Sequence, residues 1–387
     1  TNPLFYDEFS DPDIIRVGED YYLAGTTMHS VPGLVVLHSK DLVNWEFSSY
    51  CFDRFDDSDD FNLRNGKEAY GQGIWAPAIR YHNGKFYIFS NINGHGLQVY
   101  ISDSAKGPWT HHKVNGDIYD LSVLFDEDGK IYAVHKYGNV TVTELKPDLS
   151  GPVEGSSKVV IPEGNAMGEG HHVYKINGMY YILSADYSPM GRMQCARSKS
   201  IWGPYETCVI SERESYGYAA GWSVGNMGIG RPLPEDGFSF QNNKPNGLNL
   251  GCATIHQGGI VQAPDGKWWG VSMQDFNAVG RTVCLSPITW VDGWPYFGLE
   301  KNLGRSPRTW FKPNDMVKTP QAPYDRCDDF SGKIFKPVWQ WNHNPNDKMW
   351  SLNKERKGWL RLHSMPAKQL LWAKNTLTQR AIGPVSY

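Results

Sequence analysis

EGHHVYKINGMYYILSAD, residues 169–186, decides the fold, because four other stretches of the chain are written on the same plan. They are DPDIIRVGEDYYLAGTT (11–27), WAPAIRYHNGKFYIFSN (75–91), DLSVLFDEDGKIYAVHK (120–136) and HQGGIVQAPDGKWWGVS (256–272). Each opens on a polar or aromatic residue, runs through an apolar stretch, turns, and enters an aromatic strand. One strand–turn–strand unit recurring every roughly 45 to 90 residues is the signature of a radial array of blades. The turns HNGK (from His82), DEDGK (from Asp126), INGM (from Ile176) and PDGK (from Pro264) carry the Asn-Gly or Asp-Gly pair of a tight hairpin, and GED takes that place in the first repeat. About 7 to 9 positions separate each opening residue from its turn, and a strand rises about 3.3 Å per residue. All five opening residues therefore fall at the same end of the innermost strands. They are Asp11, Trp75, Asp120, Glu169 and His256, and the pattern predicts that they converge on one axis.

A second element recurs between these hairpins: LHSKDLVNWE from Leu37, ISDSAKGPWT from Ile101 and ARSKSIWGPYE from Ala196. Its Trp45, Trp109 and Trp202 follow a Ser-containing turn at similar spacing and read as packing residues between blades. Helix signals are nearly absent. After about residue 310 the pattern changes to a Pro-rich connector (311–323). The strand-rich segment 324–387 then reads as the N-terminal part of a β-sandwich that stops short of a full domain, and not as strands docked on the repeats.

Composition narrows the function. The 387 residues carry a net charge of −3 and no Lys/Arg run, which argues against a nucleic-acid partner. No apolar run reaches the roughly 18 residues of a membrane span. The 15 Trp and 21 Tyr suit strand-rich cores and equally suit stacking platforms for the CH faces of sugar rings. The six cysteines show no CxxC spacing, so thiolate metal binding is not expected, and buried free thiols compete with disulfides. The chain opens at Thr1 without a leader pattern, which leaves secreted, periplasmic and cytoplasmic locations open.

Three carboxylates on one axis point to glycosidic-bond hydrolysis. That reaction needs one carboxylic acid to protonate the leaving oxygen and one carboxylate to handle the nucleophile. Any one of the three alone would read as a turn or capping residue; three at equivalent repeat positions do not. Glu169 lies between Gly168 and Gly170 and has the longer reach, so it is the expected general acid. Asp11 is the expected base that activates water. Asp120 would hold the Glu169 proton and raise its affinity by its own negative charge.

The same motifs resemble glycoside hydrolase family 43 over about residues 1–310. The resemblance implies a five-bladed β-propeller, inversion at the anomeric carbon, and an Asp base, an Asp modulator and a Glu acid at Asp11, Asp120 and Glu169. Leu121 departs from the Pro that many members carry after the middle Asp. The resemblance further implies substrate contacts by Trp75 and Arg281, and a Ca²⁺ ion or a held water near the axis at His256. His29, on the loop after the second strand, is a further candidate for the pocket. The loop DRFDDSDDF (53–61) lacks the Gly and terminal Glu of an EF-hand and reads as a solvated loop. His111 and His112 read as surface residues. The segment after Pro323 is similar to the start of the β-sandwich found in many β-xylosidase and arabinofuranosidase members.

The expected substrate is a plant cell-wall oligo- or polysaccharide such as arabinoxylan, xyloglucan or xylo-oligosaccharides. The expected action is exo removal of terminal L-arabinofuranose or D-xylose. IHQGGIV and WSVGNMGIGRPLPEDGF lean towards α-L-arabinofuranosidase over β-D-xylosidase. An endo-arabinanase and a non-catalytic sugar-binding propeller are the rivals. A retaining fructosidase would want Arg-Asp-Pro at the middle acid, where Tyr119 precedes Asp120 here.

Overall fold

In a computed structural model the chain forms five four-stranded antiparallel sheets in chain order. The structure describes residues 1–165, 167–187, 190–211, 257–275, 281–304, 306, 309–311 and 327–379. The innermost strands are Asp13–Val17, Ala78–His82, Ser122–Phe125, Glu169–Ile176 and Ile260–Gln262, each the first half of one sequence repeat. Each pairs with the aromatic strand that follows, and two further strands complete each sheet. Neighbouring inner strands touch: the first meets the second and the fifth, and the third meets the second and the fourth.

No sheet owns a core of its own. Side chains alternate across a strand, so consecutive residues serve different neighbours. In Met179–Tyr187, Tyr180 and Ile182 pack against the third sheet with Tyr132 and Val134, while Tyr181 and Leu183 pack against the fifth with Ile260 and Phe297. That two-sided burial is why the strand reads as a nearly unbroken apolar run. Five clusters result, one for each pair of successive sheets and one joining the fifth sheet to the first through Val271, Val283 and Leu285 against Leu23, Val35 and Leu37. A side chain buried as fully as Leu23 or Ile88 stabilises the fold by about 1.5–3 kcal/mol.

The recurring tryptophans follow one rule. Trp202 of the fourth sheet meets Tyr132 of the third edge-on at 5.7 Å, and Trp109 of the second donates from Nε1 to Ser49 Oγ of the first at 3.0 Å. Trp45 of the first sheet joins the cluster shared with the fifth. Each therefore packs on the preceding sheet. Before the first strand, the backbone N–H groups of Leu4 and Phe9 donate to Val283 O and Arg281 O, both at 2.8 Å, so the start of the chain runs beside the fifth sheet.

The C-terminal segment is tied to the first sheet by one strand. Its strand Trp339–Asn342 pairs on one side with Leu377–Gln379 and on the other with Ser30–Val31. Trp341, 5% exposed, enters the cluster between the first two sheets. The strand docks because Val31 and Trp341 bury more apolar surface together than either could alone. Cys51, Cys195, Cys208, Cys284 and Cys327 are free thiols, and Cys252 lies outside the described residues.

Candidate active site

Backbone geometry aims the carboxylates. Asp11 and Asp120 both sit in the left-handed region, at φ +50° and +49°, on the residue pair that leads into an inner strand. Asp tolerates this conformation better than most residues. Glu169 is turned by a different device. Its strand bulges between Glu169 and His172 where it pairs with Met179–Tyr187, and Gly170 takes φ +65°. A Cβ at Gly170 would also collide with the Gln257 side chain, so glycine is required there on two grounds.

The three carboxylates meet in a cavity of about 450 Å³ lined also by Glu8, Trp75, Asn91, Tyr119, Gln257 and Arg281. Asp120 is buried. Its Oδ2 accepts from the Gly170 N–H at 2.7 Å and from Gln257 Nε2 at 3.3 Å, and its own N–H donates to Asn91 Oδ1 at 2.9 Å. Burial, then the negative charges of Glu169 and Asp11, push its carboxyl up to about 8, against the pull of the Gly170 bond and Arg281. Asp11 is 10% exposed, and its Oδ1 lies 3.2 Å from Arg281 Nη1. The Arg281 backbone N–H donates to Glu8 Oε2 at 2.6 Å, which fixes the cation's strand against the N-terminal segment. Glu169 Oε2 accepts from the Tyr119 hydroxyl at 3.0 Å.

A buried polar network lies directly beneath. Asp13 Oδ2 accepts from the Ile79 N–H and from Arg80, whose guanidinium also donates to Ser122 Oγ and Val123 O. Ser122 Oγ accepts from the Val173 N–H at 2.9 Å, and His172 Nε2 stands 3.4 Å from Asp13 Oδ1. Asp13 and Ser122 each lie two residues past a carboxylate, so one guanidinium ties together the strands that carry Asp11 and Asp120. The repeats contained this signal, since Asp13, Arg80, Ser122 and His172 all stand just inside the motif openings.

The structure brings Asp11, Trp75, Asp120, Glu169 and Arg281 to one cavity and sets His29 one layer behind it. The His29 ring is packed between Tyr70 at 4.7 Å and His343 at 5.1 Å, and Nδ1 accepts from the N–H of Gly71, which does line the cavity. Burial holds His29 down at about 4, so it is neutral there. His256 lies outside the described residues. Among the described residues no group of three or more His, Cys, Asp or Glu side chains could hold a metal. The ring nitrogens of His171 are engaged by Ser184 Oγ and Lys136 O, and those of His172 by Gly170 O and Asp13. The described residues around the cavity therefore do not by themselves fit a calcium cage. In the acidic loop, Asp57 and Asp59 pair with Arg64, and Asp60 pairs with His95.

Sequence reasoning missed Glu8, Asn91, Tyr119 and Gln257. Asn91 closes the second repeat, and Tyr119 and Gln257 each adjoin an opening residue, but neutral side chains carry no pattern of their own.

The profile of glycosyl hydrolases family 43 matches residues 1–217, more than half of the chain. The chain belongs to glycosyl hydrolases family 43. A second profile, the beta xylosidase C-terminal concanavalin A-like domain, matches residues 327–386. Among family 43 relatives, a putative beta-xylosidase of Xylanibacter ruminicola is 34% identical over 97% of this chain and 65% of its own length. A non-reducing end alpha-L-arabinofuranosidase of Bacteroides ovatus is 33% identical over 93% of this chain and 64% of its own. A bifunctional GH43-CE structure from Bacteroides eggerthii superposes with a TM-score of 0.82 at 35% identity, covering 99% of this chain and 46% of that one. The chain thus spans somewhat less than two thirds of the length of these curated relatives.

Proposed function

We propose that this family 43 chain is an exo-acting, inverting glycosidase that releases terminal L-arabinofuranose or D-xylose from hemicellulose. The observation that carries the reading is the meeting of Asp11, Asp120 and Glu169 on one cavity, with Asp120 buried and hydrogen-bonded to the backbone beside Glu169. In this reading the five sheets are the blades of a propeller and the cavity lies on its axis. Asp11, steadied by Arg281, takes a proton from water as that water attacks the anomeric carbon. Glu169 gives its proton to the departing glycosidic oxygen as the bond to carbon breaks. Asp120 accepts from the Gly170 N–H beside the acid and so holds the bulge that aims Glu169. Trp75 supplies an aromatic wall for a sugar ring.

The substrate is a plant cell-wall oligosaccharide or polysaccharide. Arabinofuranosidase and xylosidase activities are both part of the reading, since relatives bearing each name match the chain about equally well. Initial rates on aryl α-L-arabinofuranoside and aryl β-D-xyloside, measured side by side, name the terminal sugar. Proton NMR of the first-formed product should show the inverted anomer; the retained anomer would overturn the roles of Asp11 and Glu169. Glu169→Gln should cut turnover by at least about 10²-fold with sugar affinity kept, and wild-type turnover in that variant would remove the acid assignment.

A further inference from the structure

Tyr119 has no place in the reaction described above, yet its hydroxyl is 3.0 Å from Glu169 Oε2. It immediately precedes Asp120, so the left-handed backbone at Asp120 positions both side chains at once. Its own carbonyl accepts from the Lys136 N–H at 2.9 Å, which pins the turn. The ring is partly buried, and burial together with the negative charges of Glu169, Asp120 and Asp11 raises the phenol far above its ordinary range. It is a proton donor throughout the working pH range and never a competing base.

Resting on the assignment of Glu169 as acid, we propose that Tyr119 is a positioning residue for proton transfer, one that holds the carboxyl by Oε2 so that Oε1 carries the proton to the leaving oxygen. As that proton passes from Oε1 to the glycosidic oxygen, the bonding pair of the breaking C–O bond goes to the same oxygen. Glu169 is left as a carboxylate. The Tyr119 hydrogen bond then has an anion for its acceptor and strengthens, which is the differential binding that lowers a barrier. Tyr119 keeps its own proton throughout. Asp11 and Glu8 oppose the new charge and Arg281 offsets them, all from the same cavity wall.

The test is the leaving-group dependence of Tyr119→Phe, which keeps the ring and removes only the hydroxyl. Rates would be measured on two aryl glycosides of the preferred sugar, one releasing dinitrophenol and one releasing phenol. Dinitrophenolate departs without help from an acid, and phenolate does not. The ratio of kcat/KM for the two substrates cancels the fraction of correctly folded enzyme, so a damaged fold alone cannot move it. The phenyl-to-dinitrophenyl ratio should fall about tenfold in Tyr119→Phe, the scale of one hydrogen bond to a charged group. It should fall further in Glu169→Gln. A wild-type ratio in Tyr119→Phe beside a collapsed ratio in Glu169→Gln would leave Tyr119 as mere packing and overturn the proposal alone. Unchanged ratios in both variants would place the acid elsewhere, and the role of Tyr119 would fall with it.

Discussion

Asp120 couples function to stability through its proton. The folded protein holds that proton up to about pH 8, whereas an unfolded chain releases it near the ordinary value of 3.8. A raised carboxyl lends stability that is fully present below the unfolded value and is lost as pH rises through the folded one. Asp120→Asn keeps an acceptor for the Gly170 N–H and titrates nowhere. Relative to wild type it should therefore gain stability between about pH 4 and pH 8, by at most about 1.4 kcal/mol per pH unit. Denaturant melts at pH 4 and pH 8 check this, and parallel curves for the two proteins would deny the buried proton. Activity should fall in the same variant, the usual cost of a strained site. The carboxylates themselves were legible in the sequence because equivalent repeat positions multiply a weak signal. Tyr119, Asn91 and Gln257 were not, because a neutral side chain looks the same in a turn as at an active site. The placement of His29 was not legible for a related reason: its loop borders the cavity, while the ring packs on Tyr70 and His343.

At the level of the element, the bulge at Gly170 and the loop behind the cavity carry separate expectations. Gly170→Ala meets both a positive φ and the Gln257 side chain, whereas Gly178→Ala, at φ +74°, meets open space. Both should lose about 1–3 kcal/mol from backbone strain. Only Gly170→Ala should lose turnover, by about 10²-fold if Glu169 shifts by an ångström; equal activity in the two variants would mean that the bulge does not aim the acid. The second device is Asn344, 2% exposed, whose side chain accepts from the Phe55 N–H and donates to Phe55 O, both at 3.0 Å. Beside it His343 Nε2 accepts from the Ala69 N–H at 3.0 Å. Together they hold the loop that ends at Gly71 and Trp75 on the cavity wall. Asn344→Ala should cost about 2 kcal/mol and raise KM more than it lowers kcat, read from thermal melts and steady-state kinetics. A normal KM would mean the wall stands without its C-terminal support. None of this was visible in WQWN or in the His343–Asn344 pair that follows it, since a strand of four residues gives no indication of which edge it will join.

For the whole molecule, the strand repeats and their turns were legible because Asn-Gly and Asp-Gly pairs mark hairpins at short range. The docking of Trp339–Asn342 on Ser30–Val31 was not, because that pairing joins residues some three hundred positions apart. The same distance governs the five shared cores. The cluster that holds Val35, Leu37 and Trp45 lacks its fifth-sheet half until Val271, Val283 and Leu285 exist. A ribosome adding about 5–20 residues per second leaves that face of the first sheet waiting roughly ten to fifty seconds. During synthesis the chain therefore carries an exposed sticky edge at its N-terminal end, guarded only by whatever chaperone is at hand. Overproduced protein should fail first by aggregation through that edge, long before any shortage of stability in the finished fold is felt.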